Sequence, residues 1–245
     1  MCTGVFPAAP LSTLDQADMN MRQDCLTEHR QNLSQQLDNT EQQWWQQAQQ
    51  RLVQQPDADT AALLSGQCKR QLKAPVVALA RALLLAQVLE TCAAAERLAL
   101  LRQLFLWGDD LEKIALLNAL DWLDSDGQCL ALALQAGRTS NPQVFAALAL
   151  DSAYPSRHYP EHAFHQLVLK ALGMGLDITR LVGLAQRHSV SLNQLALDLL
   201  DEQLAAGRSV SPGLPRVIAF NLLSPAQLQR LRGLCLPPEW HTYLN

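Results

Sequence analysis

Residues 96–137 read ERLALLRQLFLWGDDLEKIALLNALDWLDSDGQCLALALQAG. Leucine and alanine dominate this stretch, and both residue types lose little side-chain freedom on entering a helix. Three segments, 96–107, 109–123 and 128–137, are separated by Gly- and Asp-rich stop signals. Such signals are typical of turns and helix ends. The stretch therefore predicts short helices joined by tight polar turns.

The turns within this stretch also supply helix caps. Asp109 or Asp110, and Ser125, are predicted N-caps, because their side-chain oxygens can accept the free amide hydrogens of a first turn. Apolar side chains between the turns fall on common helical faces. The faces predicted to form the core carry Leu98, Leu101, Leu104, Phe105, Ile114, Leu117 and Leu120.

Residues 24–55 are rich in glutamine but keep a helical pattern. One apolar stripe runs along them because steps of four and seven residues return to the same helical face. The stripe consists of Leu33, Leu37, Trp44, Ala48 and Leu52. We expect one amphipathic helix with a Gln-coated polar face, ended by Pro56 and followed by a cap among Asp57–Asp59.

The remaining chain repeats the same rhythm of helices and polar turns. Further helices are predicted, in chain order, at residues 61–71, 75–95, 160–174, 177–188, 191–206 and 225–233, with another helix beginning at Pro142 and a stop at Gly207. Aromatic residues make up only 5% of the chain and β-branched ones are scarce, so strands have little to build from. The predicted fold class is all-α.

No strict sequence period identifies a particular repeat class. Stacked antiparallel pairs are nevertheless the natural way to bury many short apolar-faced helices. We expect a HEAT/ARM-like helical repeat or an α-α superhelix. Residues 1–20 carry three prolines and no periodicity, which predicts a flexible leader. Residues 21–245 show no composition shift and are predicted to form a single helical domain.

Composition excludes several classes of function. The net charge is −4 and no basic stripe is present, so nucleic-acid binding lacks its electrostatic footprint. The six cysteines form no C-x-x-C pair and are typical of small hydrophobes in a reducing compartment. No secretory signal precedes the helices. The longest apolar run, 74–89, is broken by Arg81 and Gln87 and is short for a bilayer. We expect a cytoplasmic protein that does not span a membrane.

Residues 151–170, the 151–170 segment hereafter, read DSAYPSRHYPEHAFHQLVLK. They hold three of the six histidines and two of the three tyrosines of the chain. Functional groups concentrate on loops held between rigid helices. The predicted ligand- or partner-binding residues are Asp151, Tyr154, Arg157, His158, Tyr159, Glu161, His165 and Lys170.

A metal site is the first chemistry that this segment suggests. Residues 158–162 match the H-x-x-E-H pattern, which requires two His ligands on one helical face with Glu as general base. Pro160 opposes this geometry because it disfavours a helix through the preceding residue. The helix therefore begins at Pro160 in our interpretation. His158, His162 and His165 remain candidates for a looser metal site, and surface or capping roles remain the alternative.

A second possibility is anion binding. Arg157 stands beside two tyrosines and precedes a helix N-terminus, a combination that can hold an anionic group. Alternatively, Tyr154 and Tyr159 fill the core while Arg157 pairs with Asp151. The residues alone leave both interpretations open.

Three blocks of the sequence resemble the EboA-domain family. They are residues 146–172, with YP at 154, HYPE at 158 and FHQLVLKAL at 164, then residues 178–184 (ITRLVGL) and residues 205–212 (AAGRSVSP). The chain departs from the family pattern at His165, where Asn is expected. The resemblance implies a bacterial gene cluster that also encodes a prenyltransferase-like membrane protein and metabolic-enzyme-like neighbours. Such an ebo-type cluster makes or exports a specialised metabolite.

The resulting prediction is a helical-repeat accessory protein, with no cofactor, that binds a protein of the same cluster or a small-molecule intermediate through the 151–170 segment. One rival is a metal-dependent enzyme using His158, His162 and His165. A third interpretation, a structural subunit of a larger assembly, expects Trp44 and Trp45 to lie exposed at an interface.

Overall fold

The computed structural model of the protein describes residues 13–244, with side chains from residue 24 onward except at residue 94. Within this part of the chain there are helices and turns but no strand, which confirms the all-α class. The α-helices are α1 (Thr13–Gln36), α2 (Asn39–Gln54), α3 (Ala58–Gln71), α4 (Ala74–Thr91), α5 (Ala94–Trp107), α6 (Asp110–Leu123), α7 (Leu130–Ala136), α8 (Pro142–Ala149), α9 (Tyr154–His158), α10 (Glu161–Gly173), α11 (Val190–Ala205), α12 (Leu214–Val217), α13 (Pro225–Arg232) and α14 (His241–Leu244). Short 3-10 helices lie at Ile178–Arg180, Ala185–Arg187, Phe220–Leu222 and Pro238–Trp240.

The chain forms two compact units. Unit 1 comprises residues 1–94 and 122–126, and unit 2 comprises residues 95–121 and 127–245. The single domain over 21–245 and the HEAT/ARM-like stacking stay predictions. Of the predicted leader, residues 1–12 lie outside the described residues, whereas residues 13–20 belong to α1.

Helix α4 is the centre of unit 1. It packs against α1, α2 and α3, and most of its apolar side chains are buried. Its polar groups are satisfied inside the unit, since Arg81 donates to the Ser65 carbonyl (3.2 Å) and Gln87 to the Gln49 carbonyl (2.9 Å). By length and composition α4 is apolar enough to cross a membrane, but 61% of it is buried within the structure. That burial is typical of a core helix.

The predicted helix over 24–55 is two helices, which corrects the sequence interpretation. The first ends at Gln36, and Asp38 caps α2: its carboxylate accepts from the amides of Thr40 and Glu41, while the Glu41 carboxylate accepts from the Asp38 amide. This reciprocal capping box satisfies the free amides of a new first turn and so favours a fresh start over continuation. The stripe residues Leu33 and Leu52 are nevertheless buried.

The two adjacent tryptophans of α2 have different surroundings. Trp45 is buried in unit 1, whereas Trp44 is half-buried, and their rings lie 6.5 Å apart. The interpretation of the chain as a purely structural subunit expects both rings to be exposed at an interface. Trp45 is not available for such an interface.

Unit 2 is organised around α10. This helix packs against α8, α11 and the 3-10 helix Ile178–Arg180, and the apolar residues of its inner face are buried. They are Phe164, Leu167, Val168, Ala171 and Leu172. Helix α12 packs against α11 and against the same 3-10 helix. Buried Asn193 of α11 exchanges two hydrogen bonds with the backbone of Ala219 (2.9 and 2.8 Å), which fixes the chain beyond α12.

Two local predictions beyond residue 120 are wrong. Residues 177–188 do not form one helix, because Gly183 takes a left-handed conformation (φ 78°) between two 3-10 helices. Ser125 is not a helix N-cap, since α7 begins at Leu130 after Cys129, whose side chain makes no capping bond. The capping role of Asp109 is confirmed: its carboxylate accepts from the Glu112 amide (2.8 Å).

Candidate functional site

The backbone of the 151–170 segment is broken at Tyr159 and Pro160. His158 is the last residue of α9, and Glu161 is the first residue of α10. Pro160 occupies the N-cap position of α10 with an extended ψ of 150°. The H-x-x-E-H residues therefore do not share one helical face, as the proline predicts.

The two charged groups at the start of the segment have partners within unit 2. Asp151 accepts two hydrogen bonds from Arg180 Nε (3.2 and 3.1 Å) and is also ion-paired with its terminal nitrogen. Arg180 holds the pKa of this carboxyl below its usual range. Arg157 is ion-paired with Asp121, not with Asp151 as the alternative interpretation expects.

The aromatic residues of the segment are core groups. Tyr154 is fully buried and its ring lies 4.6 Å from that of His158. Gly127 lies so close to His158 that a Cβ there would stand 2.5 Å from His158 Nδ1. Tyr159 is buried, its hydroxyl has no hydrogen-bond partner among the described residues, and burial raises its pKa. Both tyrosines fill the interior, which agrees with the tyrosine part of the second interpretation but not with its Arg157–Asp151 pair.

His165 and Lys170 also contact groups inside the protein, whereas Glu161 is exposed. His165 is buried, with Nε2 3.3 Å from the Ser189 hydroxyl and 3.7 Å from the exposed Glu161 carboxylate. Burial lowers the pKa of His165, which favours the neutral ring. Lys170 donates to the carbonyls of Gly137 (2.7 Å) and Thr139 (2.6 Å), closing the turn after α7.

The histidines do not assemble into a metal centre. His162 is exposed, His165 is buried, and His158 belongs to a different helix. Among the residues that the structure describes, no group of three His, Cys, Asp or Glu side chains could hold a metal ion. The geometry thus gives no support to the metal-dependent enzyme.

The segment instead supports residues 175–189, here called the cleft loop. Arg187 of this loop donates to the carbonyls of Ser156 and Tyr159 (both 2.8 Å) and lies over the Phe164 ring, 4.7 Å from its centroid. Gly183 lies against Ser156, at a distance where a Cβ would be 2.5 Å from the serine side chain. These contacts fix the loop on α9 and the start of α10.

The cleft loop lines two adjoining clefts of unit 2. The larger has a volume of about 540 Å³ and lies between residues 175–179, residues 212–216 and residues 239–243. The smaller has a volume of about 260 Å³ and lies between residues 178–188 and Arg216. Ile178, Thr179 and Arg216 line both. Clefts of a few hundred cubic ångströms are the size of small-molecule sites.

Charged and aromatic groups are distributed unevenly between the clefts. The larger is lined by Asp177, Glu239 and Tyr243, whose ring stacks on Phe220 at 5.3 Å. Asp177 caps the first 3-10 helix through the amide (3.0 Å) and hydroxyl (2.7 Å) of Thr179, whose hydrogen bonds lower its pKa.

Sequence reasoning missed Gly183, Arg187 and Arg216. The signals available in the sequence were the two glycines Gly173 and Gly175 and the pair Pro212-Gly213, which indicate loops between helices. An isolated Arg carries no comparable local pattern, because its role depends on residues 28–31 positions away.

These features define an all-helical protein with paired clefts of small-molecule size. Residues 60–219 match the model of the family described as "Metabolite traffic protein EboA". The match covers more than half of the chain, so the chain belongs to the EboA family, and the resemblance seen in the sequence is confirmed. The comparisons with curated proteins and with solved structures gave no match.

Proposed function

We propose that this protein is a metabolite-binding accessory protein of an ebo-type specialised-metabolite biosynthesis or export cluster, and that the larger cleft holds the metabolite. The observation that carries the proposal is the larger cleft itself, built on a loop that the 151–170 segment supports. The family description, which concerns metabolite traffic, agrees with a small-molecule ligand. No grouping of catalytic side chains is needed for this role.

The proposal gives the 151–170 segment a supporting role in binding. The carbonyls of Ser156 and Tyr159 accept from Arg187 of the cleft loop, and Asp151 pairs with Arg180 of the same loop. These contacts fix the position of the loop that lines the clefts. Proteins of the same cluster are the proposed partners that deliver or receive the metabolite, and the cytoplasm is the proposed compartment.

A cleft-filling variant tests this function in cells. Thr242 is exposed and lines the larger cleft, so Thr242→Trp fills the space with little effect on the core. In a host that carries the cluster without this gene, the wild-type protein should restore the normal ratio of extracellular to intracellular product. Thr242→Trp should leave the ratio at the value of the deletion strain, as measured by chromatography and mass spectrometry.

Arg208→Gln is the matched control. Arg208 belongs to the same unit, pairs with Glu202 on the surface and lines neither cleft. It should restore the ratio fully. Full restoration by Thr242→Trp, at equal protein level, would remove the larger cleft from the function.

A further inference from the structure

The two clefts meet at Arg216, and their linings differ in charge. Among the described residues that line the smaller cleft, Arg216 alone carries a permanent charge and none is a carboxylate. The larger cleft has two carboxylates, those of Asp177 and Glu239. Arg216 lines both clefts, so a ligand that extends through them meets a net positive charge in the smaller cleft and a net negative charge in the larger one.

We propose that the ligand is an organic anion whose acidic group lies against Arg216 in the smaller cleft and whose uncharged body occupies the larger cleft. This inference rests on the proposed function and adds the chemical class of the metabolite. Carboxylate, phosphate and sulfonate groups share the required chemistry, because each accepts charge-assisted hydrogen bonds from a guanidinium group.

Arg216 is free to bind such a group. Arg157, Arg180, Arg208 and Arg230 of the same unit are each ion-paired with a carboxylate. Arg216 has no ion pair or side-chain hydrogen bond with any of residues 24–244. The charge of Arg216 contributes to the lowered pKa of Asp177. Oδ1 of that carboxylate already accepts hydrogen bonds from the amide and the hydroxyl of Thr179. An exposed guanidinium group facing a cleft without a carboxylate partner favours an anionic ligand.

The backbone of Arg216 is held in place from the smaller cleft. His188 Nε2 lies 3.3 Å from the Arg216 carbonyl oxygen and donates to it. Helix α12, which carries Arg216, packs on the 3-10 helix Ile178–Arg180, whose first two residues line both clefts. The backbone that carries the guanidinium group is therefore already ordered, which reduces the conformational entropy that the chain loses on binding a ligand.

The larger cleft suits an uncharged, partly apolar body. Leu176, Pro212 and Pro215 contribute apolar surface, and Tyr243 contributes the edge of an aromatic stack. A negative group placed here would lie close to Glu239 and Asp177, which disfavours the reverse orientation of the ligand.

Two ring-bearing dyes of similar size provide the test. Anilinonaphthalene sulfonate is anionic, phenylnaphthylamine is neutral, and both fluoresce on entering an apolar site. The full chain is titrated with each dye, and bound sulfonate dye is then displaced with naphthoate, naphthyl phosphate or neutral naphthalenemethanol. Wild type, Arg216→Gln, Thr242→Trp and the control Arg208→Gln are compared, with thermal unfolding used to confirm that each variant is folded.

We expect saturable binding of the anionic dye, weakened at least about tenfold by Arg216→Gln, because the variant loses a charge-assisted hydrogen bond to the acidic group. Affinity for the neutral dye should change less than about twofold in that variant. Thr242→Trp should weaken both dyes, and Arg208→Gln neither. Stronger displacement by naphthoate than by naphthyl phosphate indicates a carboxylate ligand, and the opposite order indicates a phosphate.

Two outcomes overturn the inference, and they differ in what else they remove. Equal loss of both dyes in Arg216→Gln, or equal displacement by the neutral alcohol, rejects the anionic class while leaving the larger cleft as the binding site. Failure of Thr242→Trp to weaken either dye, or absence of saturable binding, rejects the proposed function as well.

Discussion

The 151–170 segment and the clefts of unit 2 use their polar residues in different ways. In the segment, Asp151, Arg157 and Lys170 each contact a partner within unit 2, and the tyrosines are buried. At the clefts, Arg216 lacks an ion pair among residues 24–244 and faces open space. The cluster of rare residue types thus supports the cleft loop, and the proposed site lies between that loop and α12.

The largest loss of stability should come from Gly183→Ala, which disturbs the contact between the cleft loop and the 151–170 segment. The new Cβ would stand 2.5 Å from the Ser156 side chain in a backbone with φ 78°. We expect a loss of about 3 kcal/mol in unfolding free energy, from left-handed strain and overpacking together. Chemical denaturation measures it.

Gly207→Ala is the matched control for that variant. Gly207 also has a positive φ (62°), but a Cβ there would meet nothing within 4 Å. It should lose only the conformational part, about 1 kcal/mol. Equal losses at the two glycines would show that the contact with Ser156 is unimportant, whereas recovery in a Gly183→Ala, Ser156→Gly double variant would localise the clash.

A smaller effect is expected from Arg187→Ala, which removes two hydrogen bonds to the carbonyls of Ser156 and Tyr159. We expect unfolding free energy to fall by about 2 kcal/mol, since half-buried carbonyls lose a charged donor. Anionic-dye affinity should fall too, because the cleft loop loses its anchor. Arg208→Ala, which breaks an exposed ion pair, should cost less than about 1 kcal/mol. Stability equal to wild type in Arg187→Ala would remove the supporting role of the segment.

The smallest effect concerns pH. Burial, Arg187 and His162 lower the pKa of His165, while Glu161 raises it. The Nε2 atom of His165 lies near the Ser189 hydroxyl. Because the unfolded chain binds a proton at this residue below pH of about 6.5 and the folded chain resists it, stability should decrease as pH falls from about 7 to about 5.

Denaturation series of wild type and His165→Gln across that range test this expectation. The variant should show a flatter pH dependence, and His162→Gln, which removes only the weakest of these influences on His165, should change it much less. Asp151 and Asp177 have lowered pKa values, so their contributions are lost only as pH falls below about 4 and do not enter this window. Identical slopes for wild type and His165→Gln would contradict the assignment.

Much of the fold was accessible from sequence because its signals are local. Leu/Ala periodicity placed α3 through α6, and Pro142, Asp109 and Gly207 marked helix ends as their chemistry requires. The break at Pro160 followed from the geometry of proline alone. Errors occurred where two local signals competed: helix α2 starts at a capping box inside an unbroken apolar stripe.

The sequence by itself determined the all-α class, the positions of most helices and the family to which the chain belongs, because periodicity, capping and family motifs are read within a few residues. Tertiary structure decided the partners of Arg157, Arg187 and Lys170, the burial of Tyr159, and the pairing of clefts around Arg216. Each of these joins positions about 30 residues apart or more, or depends on a volume left open between helices. Distances between such groups are fixed only when the helices pack, so no local pattern encodes them.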